Sequence, residues 1–197
     1  MKTLTKVTTL TMLTLIFTSS AFAQWLLIPM DKQQTNHLKA YGLTYWTLQA
    51  PREYRAQWLL NYRCGSFLLV DRQEVRQRAL EMEVYFEPIA DADWAAIKQE
   101  IDNNNMDAIL LEKAPKVAVY APPENSPYRD PWDDAVKLAL NYSEIPYTNL
   151  WDKEVLAGEL ETRGYDWLHL HHEDFTGQYG KFYGVYKSAV WYQQQVR

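Results

Sequence analysis

Short apolar runs of strand length recur along this chain with helix-length segments between them, and no other feature limits the fold as much. Residues 67–70 form one continuous apolar run, the mark of a strand covered on both faces. Runs at 117–120, 145–151 and 165–170 follow, separated by helical patterns. Strand–helix–strand order implies parallel strands joined by right-handed crossovers. The expected architecture is α/β, a mostly parallel sheet flanked by helices. In such sheets ligands bind just past the carboxyl ends of the strands.

Local signals place the remaining elements. Residues 25–29 suit a strand and 32–41 a short helix, with Gly42 at its end. The stretch 43–48 reads as extended. Pro51 suits the first turn of a helix over 52–61, with Tyr54 and Trp58 at helical spacing. Asp71 is expected to cap a helix running to Met82, with Glu74 at the capping-box position. A strand is expected at 84–86, then a helix from Asp91 or Asp93 carrying Trp94, Ile97 and Ile101. Strands at 108–111 and 117–120 are joined by too few residues for a parallel crossover, so a boundary falls near Ala114 and Pro115. Beyond the proline-rich loop 121–131, Asp130 and Pro131 suit the start of a helix reaching Tyr142. A short helix at 154–160 and a last one at 186–195 complete the pattern.

The first residues read as an export signal. Lys2 and Lys6 precede an apolar stretch, and small residues lead up to Gln24. The stretch is shorter than the roughly 20 apolar residues of a spanning helix. Residues 1–23 are therefore expected to be cleaved after Ala23, leaving no stable membrane span. The product would reside in the periplasm, the cell envelope or outside the cell. Loss of Lys2 and Lys6 takes the formal charge from −5 to −7. An acidic chain without a basic cluster is not expected to bind nucleic acid. Cys64 is the single cysteine, so no internal disulfide forms. It lies beside an apolar run, which suits packing, while Arg63 and Gly65 suit a reactive thiolate. Eight Trp and fourteen Tyr serve either the core or contacts with glycan or peptide.

Chemistry concentrates in 165–181, YDWLHLHHEDFTGQYGK, which holds three of the four histidines. It reads as an interior strand whose tail opens onto a crevice. Alternation puts His169 and His171 on one face, Leu168 and Leu170 on the other. Two imidazoles at that spacing could share a divalent metal, with His172, Glu173 or Asp174 adding a ligand. Alternatively His171, His172 and Glu173 do acid–base work while Asp174, Thr176 and Gln178 bind substrate. A loop whose polar atoms cap one another is the third reading. Glu124, Asp130, Asp133 and Asp134 suit a helix start, and His37 an ordinary helix position. No GxGxxG, GxxxxGK[ST] or GxSxG pattern occurs, so no nucleotide cofactor is indicated.

Several stretches, NHLKAYGLTYW (36–46), WLLNYRCGSFLLVD (58–71), MDAILLEKAPKVAVYAPP (106–123), PWDDAVKLAL (131–140) and YDWLHLHHEDFTGQYGKFY (165–183), resemble a family of exported bacterial proteins labelled asparagine synthetase B. The resemblance implies a longer protein of which this chain is the amino-terminal part. Its 24–114 would be an α/β region. Its 115–197 would be a class I glutamine amidotransferase-like, flavodoxin-like domain, incomplete at the C-terminus and partnered by the remainder of the same protein. The implied activity is amidotransferase-like or amide-hydrolysing, on a small-molecule substrate. The mature start is Gln24 rather than Cys, and no SGGxDS loop occurs. Ligase chemistry is therefore not expected, and no catalytic residue of a glutamine-dependent synthetase carries over. A non-catalytic envelope module binding glycan or peptide is the alternative.

Overall fold

The computed structural model describes residues 24–122, 135–170 and 184–195. The first part runs β1 (Trp25–Ile28), α1 (His37–Leu48), β2 (Ala56–Leu60), β3 (Ser66–Val70), α2 (Gln73–Glu81), β4 (Glu87–Ile89), α3 (Asp91–Asp102) and β5 (Asp107–Leu111). These strands make one five-stranded sheet, ordered β4-β1-β3-β2-β5, and every pairing in it is antiparallel. The second part holds β6 (Val117–Tyr120), α4 (Ala135–Tyr142), β7 (Tyr147–Leu150), α5 (Asp152–Leu156), α6 (Glu159–Thr162) and β8 (Trp167–Leu170). Its three strands are parallel, ordered β7-β6-β8. Helix α7 (Val190–Gln195) follows.

The expectation of a mostly parallel, flavodoxin-like sheet is therefore corrected. The architecture is α/β, but most of its strands lie in an antiparallel sheet. An apolar run reports that both faces of a strand are covered; it does not report strand direction. Strand β3 makes the point. Phe67 and Leu69 pack with Leu26, Ile28, Leu43, Val75 and Ala79 on the face covered by α1 and α2. Leu68 packs with Leu27, Leu59 and Ile101 on the α3 face. Helices on both sides of an antiparallel sheet thus give β3 the burial of a parallel strand. Direction is set by the connections: residues 61–65 join β2 to β3 in a tight turn, which only antiparallel neighbours can share.

Three local expectations also change. Residues 43–48 are not extended but complete α1, which Asn36 begins by accepting a hydrogen bond from the Lys39 backbone. Residues 52–61 are not helical: Ala56 and Trp58 turn to the α1 face and Leu59 to the α3 face, a period of two. Asp71 does not cap α2. It forms an ion pair with Arg76, and α2 starts after Arg72 without a side-chain cap. The α3 start is as expected, with Asp93 accepting from the Ala90 backbone at 3.0 Å.

Gly42 lies inside α1 rather than at its end. A Cβ built on it would sit 1.8 Å from the Ser143 carbonyl oxygen, so it permits close approach of the turn after α4 rather than ending α1. Beside it Glu144 accepts from Lys39 at 2.6 Å and from Arg78, tying α1 and α2 to the second part. Tyr45 donates to the Pro115 carbonyl at 2.9 Å, and Asp166 pairs with Lys113 and accepts from the Lys116 backbone. Glu144, Lys116 and Asp166 all lie just before parallel strands, so the joint between the sheets is at the amino end of the small one.

Two outcomes follow. Ala for Gly in a helix normally stabilises by about 0.5–1 kcal/mol, but Gly42→Ala is expected to destabilise by about 1–3 kcal/mol, because the clash with Ser143 outweighs the gain. Urea unfolding measures the sign. Lys39 foremost, and Arg78, hold the Glu144 carboxyl below its ordinary value. A depressed folded value contributes stability above the unfolded value that is lost as pH falls through the folded one. Glu144→Gln is thus expected to be less stable than the parent at neutral pH, with the two converging below about pH 4 in thermal melts.

Candidate functional site

The small sheet orders its side chains by register. Val119 of β6 pairs with Asn149 of β7 on one side and His169 of β8 on the other. Side chains in register across parallel strands share a face. Val117, Val119 and Ala121 pack against Leu140 and Val136 of α4, so Asn149 and His169 belong to the α4 face. At the usual strand spacing they stand about 10 Å apart across Val119. Both occupy the next-to-last position of their strands, beside the carboxyl edge.

Asn149 has a fixed orientation. Its Nδ2 donates to the Ala121 carbonyl at 2.8 Å, just past the end of β6. Its Oδ1 is buried and meets no donor among the described residues. A buried acceptor left unmet costs about 1–3 kcal/mol, so the position calls for a donor. His169 is partly buried, level with it on the far side of Val119. The opposite face carries the row Tyr120, Leu150 and Leu170. There Tyr120 stacks on Trp151, with centroids 4.9 Å apart and planes 25° from parallel, and donates its hydroxyl to Asp152. Glu154 accepts from the Trp151 backbone at 3.1 Å and so starts α5 at this edge.

The order β7-β6-β8 means that the chain leaves β6 to one side and returns past it to the other. Ligands of open α/β sheets lie at such reversals, outside the carboxyl ends. The edge thus offers an acceptor, an imidazole and a stacked aromatic pair at a favoured position.

Against the sequence reading, His169 lies where a strand was expected, on the face opposite Leu168 and Leu170. Among the described residues, however, the strand lies at the edge of its sheet. Among the described residues β8 pairs with β6 alone, and Trp167 and Leu170 are 47% and 39% exposed. Alternating Leu and His suit such an edge, where one side of the ladder faces outward. His171, His172, Glu173, Asp174, Thr176 and Gln178 lie outside the described residues, as do Glu124, Asp130, Asp133 and Asp134. No cluster of three or more metal-ligating side chains occurs among the described residues. Cys64 is exposed rather than packed. His37 sits in the first turn of α1 and donates to the Met30 carbonyl at 3.0 Å.

Asn149 was not singled out by sequence reasoning. The available signal was a residue type depleted in strands within the run YTNL. Comparison with family models, with curated proteins and with solved structures finds no match to this chain.

Proposed function

We propose that this is an exported α/β protein that binds a small amide-bearing molecule at the carboxyl edge of its parallel sheet, as part of an amidotransferase-like or amide-hydrolysing protein. One observation carries the reading: the buried, unmet Asn149 Oδ1 in register with His169. A carboxamide brings N–H donors for that oxygen, and an acceptor at the far end of the same molecule can take a hydrogen bond from an imidazole N–H. A molecule the size of glutamine is long enough to reach both. Hydrolysis would add water across the C–N bond and release a carboxylate and ammonia. His171, His172 and Glu173 would then move the protons, and Asp174, Thr176 and Gln178 would contact substrate.

Cleavage after Ala23 is compatible with the backbone. Gln24 donates to the Ile89 carbonyl at 3.1 Å and accepts from the Asp71 backbone at 2.9 Å. Cleavage after Ala23 thus leaves β1 and its pairings whole. The expected outcome is an exported product whose first residue is Gln24, checked by amino-terminal sequencing.

A second reading rests on the Tyr120–Trp151 stack and Asp152 at the same edge. An aromatic face beside an acceptor suits glycan or peptide binding without turnover. Calorimetric titration of the chain with L-glutamine, with ammonia assayed in parallel, separates the readings. Binding weakened about tenfold by Asn149→Ala and by His169→Ala supports the amide site. Glycan binding lost in Trp151→Ala, with glutamine inert, transfers the assignment to the module. Glutamine binding indifferent to Asn149 and His169 overturns the proposed site.

A further inference from the structure

A different surface gathers positive charge on aromatic rings. Arg52, after α1, donates through Nε to the Trp46 carbonyl at 2.8 Å, and its guanidinium carbon lies 3.8 Å from the Trp46 ring centroid. Arg72, just before α2, sits 5.8 Å from the Tyr54 ring centroid. Arg52 Nε is held at the Trp46 carbonyl and the Tyr54 backbone N–H donates to the next one, Thr47, at 2.9 Å, so both cation–ring pairs gather at the carboxyl end of α1. Among the described residues no carboxylate forms an ion pair with either. The nearby acids are engaged elsewhere: Glu74 accepts from the Tyr54 hydroxyl, Asp71 from Arg76, and Glu81 and Glu144 from Arg78. Glu53, next to Arg52 in sequence, is exposed and pairs with neither.

We propose that Arg52 and Arg72 form a binding surface for a small oxyanion, a carboxylate or phosphate group, separate from the carboxyl edge of the parallel sheet. Stacking on a ring occupies one face of a guanidinium and leaves its N–H edge free. For Arg52 the Nε–H is spent on Trp46, and the Nη groups have no acceptor among the described residues. For Arg72 no hydrogen bond from the fork is made among the described residues. The planar fork matches the two oxygens of a carboxylate or phosphate, and a guanidinium already held on a ring loses less freedom when it binds. The chain as a whole is acidic, with a formal charge of −5, so capture depends on this local geometry and not on general attraction.

The test follows the arginine Nε–H and neighbouring backbone resonances of the whole chain during titration with sodium phosphate and, separately, sodium acetate at constant ionic strength. Saturable shifts confined to residues around Arg52, Tyr54 and Arg72 are expected. Arg52→Gln and Arg72→Gln should each weaken binding about tenfold, and Arg72→Lys less, since it keeps the charge but loses the fork. Response to phosphate alone identifies a phosphate group, and response to acetate alone a carboxylate; either sustains the proposal. Should Arg52→Gln lose its fold together with the Trp46 contact, the exposed Arg72→Gln carries the test. Absence of a saturable shift with both anions, or equal affinity in the parent and both Gln variants, overturns it.

Discussion

The turn at Ser143 and Glu144 governs how the two sheets meet. Its backbone presses against α1 where only a residue without a side chain fits, and its carboxylate is gripped from two helices, by Lys39 and by Arg78. These are different kinds of constraint. The contact with Gly42 sets distance by repulsion, whereas the ion pairs set angle by direction. Surface ion pairs alone contribute little, but here they act where the packing has already fixed the separation. The small sheet therefore keeps a defined pose although, among the described residues, it shares no strand pairing with the large one.

Sequence patterns were legible where one residue answers one question. Strand β3 reads directly from its apolar run, and α3 from Asp91, Asp93 and the spacing of Trp94, Ile97 and Ile101. Gly42 misled because the same residue type both ends helices and permits close contacts, and only the partner chain segment tells which. Tyr54 and Trp58 misled because two positions four apart satisfy a helical period and a strand period alike. Strand direction was legible for β6, β7 and β8, where helices separate the strands, and illegible for β1 and β3, where burial on both faces looks the same in either direction.

The site shows the same divide. His169 could be placed because a histidine near a strand's end draws notice for its chemistry. Asn149 could not, because its role arises from register: it becomes a site residue only by lying level with Val119 and by having its amide claimed by Ala121. Arg52 and Arg72 were hidden for a related reason. They are twenty positions apart, and an acidic total charge masks a local pairing of cations with rings.

The ties described between the two parts, from Tyr45 and Pro115 to Glu144 and Asp166, engage the small sheet where its strands begin. The opposite rim, where Asn149, His169 and Trp151 lie, contributes none of these ties among the described residues. The anchoring end can thus stay constant while the other is rebuilt by substitution or loop insertion, so a chain of this design could change what it recognises without renegotiating how it holds together.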